Sequence, residues 1–168
     1  METLYPKEKR GINKVMVFAL LAATVLIGLL IWLLSLQPSI EEQKEQILAG
    51  ALREGTPEFE KLTKEIIITT DAEGTTESPT GLGTIMMSIP ASIRNKSDKT
   101  ISLLQVNLGV VDQQNKMIKS KDVIVVPGLQ AEKLPPNDTI KIVQTLDGFD
   151  PKADRAMVRW RVTAIKTE

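Results

Sequence analysis

Neither cysteine nor histidine occurs in the 168 residues of this chain. Without cysteine there is no disulfide partner and no thiol to carry a lipid anchor. Without either residue, Cys/His zinc sites, histidine-held haem, Ser-His-Asp triads and Cys-His dyads are all excluded. Any catalysis would fall to Asp, Glu, Lys, Ser, Thr or the single Tyr5. A basic excess is missing as well. Residues 37–168 carry 17 Lys and Arg against 19 Asp and Glu. That balance gives no footprint for nucleic acid and no polybasic patch. Internal repeats and low-complexity tracts are absent, and no pattern implies a cofactor.

What the chain does have is an apolar run from Val15 to Leu36, 22 residues without a charge. Its only polar members are Thr24 and Ser35. As a helix it would rise about 33 Å, against about 30 Å of bilayer hydrocarbon. Its Leu, Ile, Val and Phe residues favour insertion by an upper estimate of about 6 kcal/mol. A cleaved signal peptide is the competing reading. Such signals have apolar cores of about 7–15 residues and a small-x-small cleavage site, whereas this run is longer and ends Leu34-Ser35-Leu36-Gln37-Pro38. An uncleaved anchor in the cell membrane is therefore expected. Lys7, Lys9, Arg10 and Lys14 precede the run, and Glu41, Glu42, Glu45 and Glu54 follow it. Because Lys and Arg stay on the cytoplasmic side, the N-terminus is expected inside and the remainder outside. Trp32 would sit at the outer headgroup level.

Four segments are expected: a cytoplasmic tail over 1–14, a membrane helix over 15–36, a stalk over 37–64, and an extracytoplasmic β-domain over 65–168. Pro38 should end the membrane helix. Ser39-Ile40-Glu41-Glu42 then reads as a capping box. Ile40, Ile47, Leu48, Ala51 and Leu52 follow at helical spacing until Gly55, which predicts an amphipathic stalk helix of about four turns. Thr56-Pro57-Glu58 can start a further turn. The stalk's apolar stripe is expected to pack on its own domain; docking on the membrane or on a partner is the alternative, and the acidic polar face argues against the membrane surface.

From Glu65 the period changes to two. Strands are predicted over 66–70, 84–95, 101–111, 117–126, 139–146 and 155–166, with 71–83 as a loop. Pro90 cannot donate a ladder bond, which predicts an edge strand or a bulge there. The apolar phase slips between Leu103 and Leu104, which predicts a second bulge. Val158, Trp160, Val162 and Ala164 fall on one face of the last strand. About six or seven strands without interleaved helices read as an antiparallel β-sandwich of immunoglobulin-like type.

Ala91-Ser92-Ile93-Arg94-Asn95-Lys96-Ser97-Asp98-Lys99-Thr100-Ile101, then Val106-Asn107-Leu108-Gly109-Val110-Val111-Asp112, and later Leu134-Pro135-Pro136-Asn137-Asp138, resemble the FxLYD group of bacterial domains. Leu108 stands in place of that group's aromatic residue and Val110-Val111 in place of Leu-Tyr; Asp112 is retained. The resemblance covers roughly residues 82–146. It implies an immunoglobulin-like fold outside the cytoplasm, often behind a membrane anchor, and no shared chemistry.

Several constellations bear on function. Asp147, Asp150 and Asp154 could form a Ca²⁺ loop, but the spacing is not that of an EF-hand, and Asp150-Pro151 suits a helix start. Arg159 and Arg161 share a strand face and could meet an anion or a partner; a solvated face is the plainer reading. Met86 and Met87 read as packing filler. Gly81-Leu82-Gly83 precedes a strand, so it is no phosphate loop. Asn95-Lys96-Ser97 and Asn137-Asp138-Thr139 match the N-glycosylation pattern. Ala19, Ala23, Thr24 and Gly28 form small-x-x-x-small pairs that let two membrane helices approach. The expectation is a non-catalytic accessory subunit of a membrane-bound assembly, partnered by the membrane and by other membrane-protein subunits. An extracytoplasmic ligand- or Ca²⁺-sensing module is the alternative.

Overall fold

The computed structural model describes residues 14–36, 39–128 and 130–168. The charges before Lys14, Tyr5, Pro38 and the Ile40 side chain lie outside the described residues. The chain divides into two compact units, Met1–Gln46 and Ile47–Glu168.

In the first unit, α1 (Lys14–Ser35) is a single helix none of whose residues is buried. It is long and apolar enough to cross a membrane. Both polar side chains of the run turn back onto the helix. Thr24 Oγ1 donates to the Leu20 carbonyl at 2.8 Å, and Ser35 Oγ to the Trp32 carbonyl at 2.7 Å. Neither hydroxyl therefore needs water, the condition that hydrocarbon imposes on polar groups. The second helix, α2 (Ile40–Ile47), opens on the expected capping box. Ser39 N–H donates to Glu42 Oε2 at 2.9 Å, and Glu42 N–H to Ser39 Oγ at 3.2 Å.

The stalk is shorter than the sequence reading. The helix stops at Ile47 rather than near Gly55, and Gly50 takes φ +74°, a left-handed conformation that favours glycine. Leu52–Arg53 then form a short strand, β1, with Leu52 packed against the domain core. The Thr56-Pro57 start is real: Thr56 Oγ1 caps Phe59 N–H at 3.3 Å and α3 spans Pro57–Lys64. Phe59 and Leu62 of α3 are buried in the same core. Residues 47–64, read from sequence as stalk, are thus part of the β-domain.

The domain has two antiparallel four-stranded sheets. The first is ordered β1–β8–β5–β6, with β5 Ile101–Val111, β6 Met117–Val126 and β8 Met157–Thr167. In the second, β4 (Ile85–Asn95) is central. It pairs on one side with β7 (Thr139–Phe149) and on the other with β2 (Ile66–Thr70) and β3 (Thr76–Pro79). Strand β3 falls within the stretch expected to be a loop; its four residues are all exposed, so no apolar period announced it.

Strand β4 alternates as expected, burying Met87, Ile89, Ala91 and Ile93. Its Pro90 is not at an edge. The carbonyl of Pro90 accepts from Asp71 N–H at 2.9 Å, so the missing N–H faces the turn between β2 and β3. Strand β2 pairs with residues 91–95 and β3 with 85–88, so proline sits where one neighbour has ended and the next begins. A central strand tolerates proline there because no ladder bond is lost. The Leu103–Leu104 slip is a bulge: both residues are buried, and the β5 register shifts against β6 and β8 around them. Strand β7 runs three residues past its expected end. Gly148 at φ +74° lies where the β4–β7 register shifts, and Phe149 returns to the interior, 1% exposed.

Side chains from both sheets and α3 share one buried cluster, including Ile66, Ile93, Leu104, Val126, Ile142 and Ile165. A second cluster holds Met87, Ile89, Leu108, Val110, Leu146 and Phe149. Trp160 packs against both.

Candidate functional site

The outer face of β8 carries Met157, Arg159 and Arg161, all exposed. Across the sheet, Arg159 lies opposite Gly109, which lies opposite Ser120; Arg161 lies opposite Asn107, which lies opposite Asp122. Directly opposed residues share a face, so the two arginines form one row with polar neighbours. Arg159 Nη2 donates to Asn115 Oδ1. Arg161 Nη1 stands 3.6 Å from Glu54 Oε1, with the two side chains 66% and 65% exposed. Such a pair is worth under about 1 kcal/mol and leaves Arg161 available. Gly109 has no side chain to fill the row, and Met117 lies over it: a Cβ there would come within 2.8 Å of Met117 Cε. A shallow depression results, lined by Asn107, Met117 and the two arginines.

Beside this face is a seam. Phe59, Ile66, Ile68, Val158 and Trp160 line a cavity where β8 meets β2, with Glu54, Glu60 and Arg161 among its polar lining. Trp160 Nε1–H donates to Thr70 Oγ1 at 3.0 Å, a bond between strands of the two sheets.

The three aspartates do not come together. Asp147 is exposed within β7. Asp150 Oδ1 accepts from Lys152 N–H at 2.8 Å, and Asp154 Oδ2 from Gln113 N–H at 3.0 Å. Asp150-Pro151 starts a turn and no helix. Among the described residues no group of three or more acidic side chains could hold a metal ion. A cation already occupies the loop: Arg155 Nη1 donates to the carbonyls of Asp150 and Ala153, each at 3.0 Å. Its other nitrogens grip Glu77 of β3, Nε to Oε1 at 3.0 Å and Nη2 to Oε2 at 2.8 Å. Separated by 78 residues, this bidentate pair left no sequence signal.

The hydrogen bonds from Arg155 hold the Glu77 carboxyl below its ordinary value of 4.5, against a smaller opposing effect of burial. The same bonds raise Arg155. A depressed carboxyl contributes stability above its unfolded value and loses it as the pH falls through the folded one. The expected outcome is that the protein loses stability below about pH 4.5 more steeply than Glu77→Gln does. With Glu77 43% exposed, the difference should stay under about 1 kcal/mol, read from urea melts at pH 7 and pH 3.5.

Asn95, a glycosylation match in the sequence, is one of two buried polar residues among the described residues; the other is Ser97. Its amide donates to the carbonyls of Lys99, Leu134 and Pro135 at 2.8, 3.0 and 3.1 Å. Its Oδ1 accepts from Ser97 N–H at 3.0 Å and Ser97 Oγ at 2.7 Å. Asn95 is thus a structural tie rather than an open acceptor in the folded domain. It links segments 39 and 40 residues apart in the chain. Asp112 closes its own turn by accepting from Lys116 N–H at 2.8 Å.

In α1, Ala19, Ala23, Thr24 and Gly28 are exposed, and, the adjoining helix backbone apart, no described heavy atom lies within 4 Å of where a Cβ at Gly28 would stand.

No protein-family model and no curated protein matches the chain. Among solved structures the chain is similar to a structural-genomics target, SoR45, at 16% identity and a TM-score of 0.44, covering 64% of this chain and 77% of that one. It is also similar to a putative ApaA protein from Bordetella pertussis, at 8% identity and a TM-score of 0.37, covering 61% and 90%.

Proposed function

We propose that this chain is a single-pass membrane protein whose immunoglobulin-like β-domain serves outside the cytoplasm as a non-catalytic accessory subunit of a membrane-bound assembly. The observation that carries the proposal is α1: 22 residues, none buried, with both of its hydroxyls satisfied by its own backbone. Such a surface calls for lipid or for another apolar helix. The immunoglobulin-like reading is supported by two antiparallel sheets that share buried clusters, and by the Asn95 tie between FxLYD-like stretches. The non-catalytic reading rests on the missing histidine and cysteine. Outward orientation rests on the flanking charges.

Mild detergent extraction, purification through a C-terminal tag and mass spectrometry test the proposal. A stoichiometric membrane partner is expected. Migration alone at monomer size in several mild detergents would sink it. Protease added to intact cells should trim the β-domain; full protection would overturn the orientation. Gly28→Leu meets open space in the chain itself, so it should leave the domain's thermal unfolding unchanged. It should nevertheless weaken retention of the partner by about tenfold, roughly 1.4 kcal/mol, because the bulky side chain separates helix backbones.

A further inference from the structure

Strand β8 is paired with β5 from Thr167 to Met157. On its other side, among the described residues, only Leu52 and Arg53 of β1 pair with it, opposite Ile165 and Ala164. Gly55, at φ +100°, then turns the chain aside into α3, which packs near Val162 and leaves the rest of that edge without a strand. From Met157 to Arg161 the free edge carries a double pattern. Val158 and Trp160 point inward at the seam, half-buried, while Arg159 and Arg161 point outward. A strand edge with unpaired backbone groups is a template for another strand. An added strand would place its alternate side chains against these two rows.

We propose that the β8 edge takes up an extended segment of a different protein, with acidic residues opposite Arg159 and Arg161 and apolar residues facing Val158 and Trp160. Charge fixes the choice of occupant. A second copy of β8, paired antiparallel about Trp160, would set Arg159 against Arg161, and like charges directly opposite destabilise a sheet. The arginines' present partners are a neutral amide and one exposed carboxylate at 3.6 Å, so both can turn to new carboxylates. The added strand would continue the line that β1 begins. This inference deepens the accessory-subunit reading and rests on it for the kind of partner.

The test uses the full chain in detergent and labelled, end-capped heptapeptides of sequence TVEIEVT and TVKIKVT, followed by fluorescence anisotropy. The glutamate peptide should bind at least tenfold more tightly than the lysine peptide. Replacing Arg159 and Arg161 together by Glu should reverse that preference, and both sites are exposed enough to leave the thermal unfolding unchanged. Methylating alternate backbone amides of the glutamate peptide, in either phase, separates strand pairing from charge attraction. One methylated phase should abolish binding. Equal binding by both methylated peptides, a preference of less than twofold, or no binding at ~1 mM peptide would each overturn the proposal. A partner that still co-purifies with the Arg159→Glu/Arg161→Glu variant would sink the edge while leaving the accessory-subunit reading intact.

Discussion

Asn95→Ala should unfold this domain far below the melting temperature of the parent chain. The substitution removes an amide whose two N–H groups are shared among three carbonyls and whose oxygen accepts two hydrogen bonds, from a side chain that is 0% exposed. It leaves the buried Ser97 N–H without its acceptor, and it takes one of two donors from the carbonyls of Leu134 and Pro135, which keep the N–H groups of Ile101 and Asp138. Each buried polar group left without a partner costs about 1–3 kcal/mol. A total of roughly 3–5 kcal/mol is expected, near the upper end for a single substitution. For a unit of ~120 residues that lowers the melting temperature by about 10–20 °C. Asn95→Asp separates chemistry from volume, because it keeps the shape but replaces the donating amide by a carboxylate oxygen that faces the same carbonyls. It should destabilise at least as much at pH 7. Circular dichroism melts of both variants decide the matter, and a loss under about 1 kcal/mol in either would mean that the tie is dispensable.

The second large effect is expected at Trp160. Its indole packs against both buried clusters, and its N–H reaches Thr70 on the other sheet. Trp160→Ala should cost about 2–3 kcal/mol, below the usual range for a fully buried aromatic because the ring is only half-buried. Trp160→Phe keeps most of the apolar contact and gives up the hydrogen bond. Thr70 lies at the seam and can turn to water, so this loss should be about 1 kcal/mol. Urea unfolding of the two variants distinguishes packing from bonding. Similar losses in both would place the weight on the hydrogen bond instead.

The elements most legible in the sequence were those whose burial repeats with a period. Strand β4 alternates as written because its two faces meet different surroundings, and α1 announces itself by length alone. The bulge at Leu103–Leu104 was legible because two adjacent buried residues break a two-residue period. Where burial did not set the pattern, the reading failed. Strand β3 is exposed throughout and looks like a loop. The apolar residues from Ile47 to Leu52 satisfy a helical spacing, yet a left-handed glycine and sheet pairing at Leu52 divide them between a turn and a strand. Of the candidate site, the arginine row was visible as an alternation. The free edge beside it was not, since it depends on where β1 stops. The Glu77–Arg155 grip and the reach from Asn95 to Leu134 are contacts between distant segments, which no local pattern encodes.

Pro90 bears on how the domain opens. Because β4 is flanked by two short strands in succession, its outer side is held by two independent ladders rather than one. Each ladder has its own boundary at the proline, where no N–H bridges the gap. Strand β3, exposed and four residues long, can therefore detach while β2 stays paired and the shared core stays closed. The Arg155 grip on Glu77 is the latch on that movement. Within this sheet the 71–84 segment is therefore expected to open first, ahead of β2 and the longer β4–β7 ladder, which hydrogen exchange would read as earlier exchange of the β3 amides.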